Sequence, residues 1–132
     1  TMILAVVDIR TGQLHLTTAG HPPPLILRGD SPVPLPRTGG FPIAMLDMAE
    51  YDEHLIQLQH GDRVCLFSDG VPDQSGQNGE PFGEDRLRAA LLTRQAVPPD
   101  RVVADVVADL TSWAPPGSFE DDVSLVVIDW IG

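Results

Sequence analysis

An aspartate at the end of a buried strand is the first feature of this sequence that could carry chemistry. Residues 63–68 are predicted to form a strand, because residues 64–67 run without a polar break. Asp69 follows, and then Gly70, which allows a sharp turn and a close approach of the backbone. The carboxylate would be held by a rigid element at the rim of a sheet, where ligands reach it. Asp-Gly is also common in ordinary turns, so this stretch alone leaves both interpretations open.

A second group of acids precedes the last apolar stretch. Asp121 and Asp122 lead directly into residues 123–130, VSLVVIDW, which are also predicted to form a strand. If the two strands are antiparallel neighbours, Asp69 and Asp121 share one rim of the sheet. Asp122 would point the other way, because successive side chains alternate across a strand. Clustered carboxylates repel each other and usually need a cation, and oxygen ligands favour hard ions such as Mg²⁺ or Mn²⁺.

The elements that must position these acids are predicted to form an α+β arrangement of antiparallel strands and two helices. The first two strands should form a hairpin, and the strand before the Asp69 strand should pair with it through a turn at residues 59–62. Residues 71–82 are expected to be a flexible polar loop, and residues 31–46 a long loop rich in Pro and Gly. The other predicted strands cover residues 2–9, 14–19, 25–27 and 51–58, and the helices cover residues 82–93 and 100–113.

The charge balance argues against one class of partner. The chain of 132 residues carries 19 Asp and Glu against 8 Lys and Arg, a net charge of −11. Such a surface does not favour nucleic acid or an anionic membrane. No apolar run is long enough to span a membrane, so membrane insertion is not expected. The single Cys65 lies in a strand that is predicted to be buried, which fits a reducing, cytoplasmic compartment.

Other kinds of site fit the residues less well. A calcium loop starting at Asp69 would find carboxylates in Asp73 and Glu80, but valine and glutamine occupy its third and sixth positions. Cys65 lies inside a strand rather than at an exposed turn, so a nucleophilic hydrolase is not indicated. His21 follows a strand end and is a candidate, although a loop histidine bonded to the backbone is the simpler interpretation.

Five motifs, in order, carry a resemblance to a known family. Together they resemble the C-terminal part of the SpoIIE/RsbU-type bacterial serine phosphatases, which belong to the PPM, or PP2C-like, metal-dependent protein phosphatases. The resemblance covers nearly all of the chain, and five motifs in the right order are far more specific than any one alone. The motifs are AGHPPPLILR (19–28), GGFPIAML (39–46), LQHGDRVCLFSDGVPD (58–73), GEPFGEDRLRAAL (79–91) and EDDVSLVVID (120–129).

The resemblance implies an α-β-β-α sandwich with mainly antiparallel sheets and a two-metal site between them. Mn²⁺ or Mg²⁺ would bind phosphate there and activate a water that attacks phosphorus directly. Asp69 matches the metal-binding aspartate of the family's S-D-G motif, and Asp121 matches the one before the last strand. These two are the catalytic candidates. Asp122 is the adjacent second candidate for a metal ligand, and Gly70 matches the glycine beside the site.

Two departures and one missing motif qualify what the resemblance implies. Pro72 stands where the family usually has Thr, and Ala44 where it usually has Gly. The family's other metal carboxylates lie in an N-terminal G-D-x-x-D-type segment, which has no counterpart in this sequence. We therefore expect residues 1–132 to form a single partial domain, the C-terminal portion of a PPM-type phosphatase domain, with little activity alone. Uncovered strand edges could pair with another chain, so a homodimer is also expected to be accessible.

Two functions remain open at this point. The first is a metal-dependent protein serine/threonine phosphatase in the full-length protein. Its substrate, as the family implies, would be a phosphorylated anti-sigma-factor antagonist, and a sensor or receiver domain would lie upstream. The alternative is a non-catalytic PP2C-like module that binds or regulates a partner.

Overall fold

The computed structural model describes residues 1–36, 40–117 and 119–132, which form two antiparallel sheets and two helices. Sheet 1 has the strand order β1-β2-β5, and sheet 2 the order β4-β3-β6-β7. The strands are β1 (Met2–Asp8), β2 (Gln13–Ala19), β3 (Leu25–Arg28), β4 (Ser31–Pro32), β5 (His54–Gln57), β6 (Arg63–Phe67) and β7 (Leu125–Asp129). The helices are α1 (Gly83–Leu92) and α2 (Pro99–Trp113).

The predicted hairpin at the start of the chain is confirmed. β1 and β2 pair antiparallel in a register that runs from Met2↔Ala19 to Asp8↔Gln13. Gly12, in the connecting turn, has a φ of 71°, a left-handed conformation that glycine adopts without strain. The predicted strands at residues 25–27, 63–68 and 123–130 and both predicted helices are also present, with ends that differ by a few residues.

The predicted pairing of β5 with β6 is wrong. β5 pairs with β2 in sheet 1, whereas β6 lies between β3 and β7 in sheet 2. The burial of the two strands gives the reason. β5 buries only Ile56, so it suits the edge of a sheet, while β6 is almost fully buried and needs partners on both sides. The short connection between them therefore crosses from one sheet to the other instead of closing a hairpin.

The core consists of two apolar layers, one on each face of sheet 2. One layer lies between sheet 2 and the helices, and the other lies between the two sheets. The order of layers is thus helix, sheet, sheet. The helix-side layer contains Leu27, Cys65, Phe67, Val71, Phe82, Leu87, Leu91, Val102, Val106 and Leu110. The layer between the sheets contains Leu14, Leu16, Ile26, Ile56, Leu58 and Val64.

Packing explains why a valine-rich segment forms α2. Val102, Val106 and Leu110 recur at four-residue intervals and are fully buried against sheet 2. Pro99 stands in the first turn, where its missing N–H is not needed. The burial of this stripe outweighs the weak preference of valine for strands. At 15 residues α2 is the longest helix of the described segments, none of which is long and apolar enough to cross a membrane.

Two arginines of sheet 2, Arg63 and Arg28, each pair with an aspartate and also donate to a main-chain carbonyl of a neighbouring layer, Arg94 and Gln57 respectively. The Arg63 side chain is 1% exposed, donates to both carboxylate oxygens of Asp129 at 2.6 and 2.7 Å, and also reaches the carbonyls of Arg94 and Val97 between the helices. Arg28 donates to both oxygens of the buried Asp62 at 2.8 and 2.7 Å. Burial alone would raise the pKa of Asp62, but the hydrogen bonds from Arg28 and from the Gln59 amide outweigh it and lower that pKa.

The long loop predicted at residues 31–46 is described in part. It contains the two-residue strand β4, and its residues 37–39 lie outside the described part of the chain. Ala44, which stands where the resembling family usually has glycine, has a φ of 62°. Glycine would adopt that conformation without strain, whereas alanine pays roughly 1 kcal/mol for it.

Candidate functional site

The end of β6 lies beside the start of β7, as the sequence predicts. The two strands are antiparallel neighbours, with Phe67 opposite Leu125 at this end. Ser68 extends the pairing beyond the strand, because its amide donates to the Ser124 carbonyl at 3.0 Å. Its hydroxyl accepts from the Ser124 amide and donates to the Asp122 carbonyl, both at 2.9 Å. Sequence analysis did not single out Ser68, although its place before Asp-Gly was visible.

Gly70 packs directly against the segment that carries the second group of acids. A Cβ atom at this position would lie 2.5 Å from the main-chain oxygen of Asp122, closer than real Cβ atoms approach. Gly70 is buried, whereas the preceding Asp69 is exposed. The absence of a side chain at Gly70 thus lets the turn after β6 lie on the backbone before β7. Asp69 and Asp121 are held at the same end of sheet 2.

A cavity of about 250 Å³ opens at this end of the sheet. Asp121 lines the cavity and accepts a hydrogen bond from the Asp122 amide at 2.7 Å through Oδ1. Asp122 instead offers its main-chain carbonyl to Ser68. The cavity therefore favours Asp121 over Asp122 as the acid that faces a ligand. Its lining residues are Gly70, Asp73, Gln74, Glu120 and Asp121.

The segment at residues 71–82, expected to be a flexible polar loop, has a defined hydrogen-bonded conformation. Ser75 and Pro81 form an antiparallel bridge, and the Phe82 amide donates to the Gln74 carbonyl at 2.8 Å. Gln74 is 1% exposed, and its side-chain oxygen accepts from the Glu120 amide at 3.1 Å. The Ser75 hydroxyl donates to the Glu120 carboxylate at 2.9 Å. Composition alone could not reveal these contacts, since a buried glutamine and an exposed one have the same local sequence signal.

The same segment contacts α2 through Trp113. The Trp113 indole donates to the Glu80 carbonyl at 3.2 Å, and the Arg86 guanidinium lies 4.3 Å from its ring centre. Arg86 also donates to the Glu80 carboxylate at 2.6 Å. Gly76 packs so closely on the indole that a Cβ there would lie 2.7 Å from a ring atom. The loop that lines the cavity is therefore supported by both helices.

Of the candidates from the sequence, Gly70 and Asp121 line the cavity, whereas Asp69, Asp122, His21 and Cys65 do not. Nδ1 of His21 lies 3.4 Å from the Thr1 hydroxyl, so its one described side-chain hydrogen bond is with the residue before β1, at the open end of the β1–β2 hairpin. Cys65 is fully buried, and burial raises the pKa of its thiol to about 12, although the nearby Arg63 charge opposes the shift. A neutral, inaccessible thiol is not a nucleophile, which agrees with the sequence interpretation.

Carboxylate and amide oxygens dominate this end of sheet 2. Such a donor set suits hard cations, and Asp69 and Asp121 are the residues that would offer carboxylates. Across residues 1–36, 40–117 and 119–132, however, no three His, Cys, Asp or Glu side chains gather closely enough to hold a metal ion. The described part of the chain therefore contains no complete metal site.

The family model of Stage II sporulation protein E (SpoIIE) matches residues 1–131. The chain belongs to the SpoIIE family. Among curated proteins, this SpoIIE-family chain is similar to Protein IcfG of Synechocystis sp., with 23% identity over 129 residues. That match covers 97% of this chain and 20% of IcfG. The chain therefore spans about a fifth of the length of this relative.

Solved phosphatase domains show the same fold as this SpoIIE-family chain. The phosphatase domain of the cell fate determinant SpoIIE from Bacillus subtilis, presoaked with Mn, matches 98% of this chain and 56% of its own, with a TM-score of 0.77 and 18% identity. The SiaA-PP2C domain of Pseudomonas aeruginosa matches 91% and 47%, with a TM-score of 0.75 and 22% identity. The RsbU and RsbW domains of Rv1364c from Mycobacterium tuberculosis match 96% and 35%, with a TM-score of 0.72 and 25% identity. The chain thus has part of the PP2C phosphatase fold.

Proposed function

We propose that this chain belongs to a metal-dependent protein serine/threonine phosphatase of the SpoIIE/RsbU type. The observation that supports this most directly is the antiparallel pairing of β6 with β7, which brings the turn at Asp69 against the segment of Asp121. Asp69 and Asp121 are both exposed at the same end of sheet 2, and Asp121 borders a cavity. A phosphate ester on a protein surface could approach them from solvent.

Asp69 and Asp121 would act as metal ligands, and Mn²⁺ or Mg²⁺ suits their oxygen donors. When bound, such ions supply the charge that neutralises phosphate and lowers the pKa of an attacking water. The contribution of the chain is to hold the two carboxylates in place. β6 holds Asp69 at its end, and the contacts of Ser68 and Gly70 with the Asp122 carbonyl hold the segment of Asp121. Each hard ion takes about six oxygen ligands, so the two aspartates would need water and further oxygen ligands beside them.

The finer details of the proposed function are supported by similarity to the family rather than by contacts in the structure. We propose a phosphorylated anti-sigma-factor antagonist as the substrate, supported by the similarity to a solved chain that contains an RsbU domain. A sensor or receiver domain upstream, a cytoplasmic location and a homodimer are proposed in the same way. The acidic chain, with a net charge of −11, supports a protein rather than a nucleic acid as the partner.

Hydrolysis of a phosphoserine protein by the protein with a complete phosphatase domain tests the proposal. Turnover should require Mn²⁺ or Mg²⁺ and should fall in Asp69→Asn and Asp121→Asn by more than the roughly 10–100-fold that is typical of outer-shell partners. Asp122→Asn should have a smaller effect. Asp30→Asn, in an exposed turn, is the matched control and should leave turnover unchanged. Full activity of Asp69→Asn would refute the metal assignment.

Residues 1–132 alone should show little or no turnover, because they offer too few ligands for two ions. Robust Mn²⁺-dependent turnover by this chain would contradict that expectation.

A non-catalytic module remains the second candidate, because no three possible metal-binding side chains cluster within the described part of the chain. It predicts binding of a phosphoprotein without hydrolysis, in a complete protein whose activity does not respond to Mn²⁺. A binding assay with the phosphorylated and unphosphorylated partner, run beside the hydrolysis assay, separates the two functions.

A further inference from the structure

Asp121 lies between two main-chain positions that are anchored by different side chains. On one side, the Asp122 carbonyl accepts from the Ser68 hydroxyl at 2.9 Å. On the other side, the Glu120 amide donates to the Gln74 side-chain oxygen at 3.1 Å. Asp121 precedes β7 and has no strand partner of its own. Its backbone position therefore depends on these two anchors and on the packing of Gly70, rather than on a ladder of the sheet.

Gln74 is suited to be an anchor, because it is held from several directions. The residue is 1% exposed, and its side-chain amide donates to the Ser75 carbonyl at 2.9 Å while its oxygen accepts from Glu120. Its main-chain carbonyl accepts from the Phe82 amide at 2.8 Å. A primary amide offers one acceptor and two donors, so a single side chain can bond both segments. A buried polar side chain with these bonds has little freedom to move.

The neighbouring residue adds a second link to the same place. The Ser75 hydroxyl donates to the Glu120 carboxylate at 2.9 Å, and Ser75 also forms the bridge with Pro81. Gln74, Glu120 and Asp121 all line the same cavity. The loop between β6 and α1 thus holds the segment before β7, and it does so one residue away from the proposed metal ligand.

We propose that Gln74 is a positioning residue for Asp121: it fixes the backbone of Glu120 and so sets where the Asp121 carboxylate stands at the cavity. This inference rests on the proposed function only in what Asp121 is used for. The role of Gln74 is indirect, because its side chain bonds the main chain of Glu120 and Ser75 rather than a molecule or ion bound in the cavity. Loss of the Gln74 side-chain hydrogen bonds should lower the affinity for a cation by more than any loss of stability explains.

Amide hydrogen exchange in the metal-free protein tests the anchor without any variant. The Glu120 side chain is exposed and lies outside the strands, so its amide would exchange quickly if nothing held it. We expect this amide to be protected at least about tenfold relative to an unstructured chain, because Gln74 accepts its hydrogen. Free exchange at Glu120 in the folded protein would overturn the proposal.

Gln74→Met tests the consequence for metal binding, because methionine keeps the length of the side chain and removes its hydrogen bonds. In the protein with a complete phosphatase domain, the affinity for Mn²⁺ alone, measured by the electron paramagnetic resonance of free Mn²⁺, should fall about tenfold, the low end for outer-shell partners. The protection of the Glu120 amide should fall with it. Unchanged affinity for Mn²⁺ in a folded Gln74→Met protein would overturn the proposal.

Two controls separate positioning from a loss of stability. Gln77→Met makes the same change at an exposed position of the same loop and should leave Mn²⁺ binding unchanged. Leu91→Ala removes a fully buried side chain of α1 and should lower the melting temperature without weakening Mn²⁺ binding. Equal weakening by Leu91→Ala and Gln74→Met would show that stability alone is responsible, and would overturn the proposal. If Gln74→Met does not fold, the exchange of the Glu120 amide in the native protein decides.

The outcome is distinguishable from failure of the proposed function. A protein that hydrolyses phosphoserine while Gln74→Met keeps native Mn²⁺ affinity refutes the role of Gln74 and leaves the function standing. A protein without hydrolysis, in which Gln74→Met still weakens Mn²⁺ binding and exposes the Glu120 amide, refutes the function and supports the role of Gln74.

Discussion

The two sheets of this protein differ in how they are covered. Sheet 2 has helices on one face and sheet 1 on the other, and its strand β6 is almost fully buried. Sheet 1 buries only the face that meets sheet 2. On its outer face, Leu4 and Val6 of β1 are each 53% exposed. Asp69 follows β6, the most completely buried strand, whereas Asp121 precedes β7, in which Val126 and Ile128 are 49% and 47% exposed.

This difference shows how a rigid position for a functional group is obtained. A strand that is packed on both faces cannot shift without disturbing two apolar layers, so the turn at its end is also held in place. β1 packs on one face alone, and a small displacement there would disturb fewer contacts. We expect changes in sheet 2 to have large effects and matched changes in sheet 1 to have small ones.

The largest effect should come from Arg63, the buried cation of sheet 2. Arg63→Met leaves the Asp129 carboxylate and the carbonyls of Arg94 and Val97 without their partner. Breaking a buried ion pair from one side costs about 3–5 kcal/mol of unfolding free energy. Urea unfolding, followed by tryptophan fluorescence, measures the loss. Arg101→Met is the control, because that arginine is 71% exposed in its pair with Asp105 and should matter by less than about 1 kcal/mol. Equal losses in the free energy of unfolding from Arg63→Met and Arg101→Met would contradict the expected difference between sheet 2 and the surface.

The sharpest comparison makes the same deletion in both regions. Leu87→Ala empties a fully buried position between α1 and sheet 2, and should lower the free energy of unfolding by about 2–5 kcal/mol. Leu4→Ala removes a half-exposed side chain from the outer face of sheet 1 and should cost less than about 1 kcal/mol. Both are measured by urea unfolding. A large loss from Leu4→Ala would indicate that another chain covers this face in solution, which sedimentation would then detect.

An intermediate effect is expected where the turn after β6 meets the segment before β7. Gly70→Ala places a Cβ against the Asp122 carbonyl and should cost about 1–3 kcal/mol, because neither backbone can easily move away. At Gly40 the nearest atom to an added Cβ is 3.6 Å away, an ordinary contact, so Gly40→Ala should change stability by less than about 0.5 kcal/mol. Thermal unfolding of both variants measures the difference. Tolerance of Gly70→Ala would show that the end of sheet 2 is more adaptable than its packing indicates.

The smallest effect concerns the pair between Arg28 and Asp62, at the crossing from sheet 1 to sheet 2. The pKa of Asp62 is lowered in the folded protein, so its contribution is fully present above the unfolded value of about 3.9 and is lost as the pH falls through the folded value. Asp62→Asn should cost about 1–2 kcal/mol at pH 7, since Arg28 is 36% exposed and partly screened. The free energy of unfolding of Asp62→Asn should also fall less steeply below pH 4 than that of the native protein, because the variant has no carboxylate to protonate at this position. Asp30→Asn, at an exposed turn, is the control, and parallel pH profiles for Asp62→Asn and the native protein would contradict the assignment.

Much of the candidate site could be predicted from local sequence. The apolar run before Asp69 and the apolar run after Asp122 both indicated strands, and antiparallel pairing of two such strands brings their polar ends together. The support for Asp121 could not be predicted in the same way. Gln74 and Glu120 are 46 positions apart in the chain, and nothing in either stretch indicates that the amide of one meets the side chain of the other.

By itself, the sequence determined the elements, because apolar periodicity and turn residues act over a few neighbouring positions. It determined both helices, the first hairpin and the acids at the strand ends in this way, and its motifs indicated the family. Only the tertiary structure decided that β5 pairs with β2, and that β6 pairs with β3 and β7. It also decided that Arg63 is buried in a pair with Asp129, that Asp62 is buried in a pair with Arg28, and that the Glu120 amide meets the Gln74 side chain. Each of these outcomes depends on which surfaces exclude water together, and that is a property of distant segments in contact rather than of any one segment.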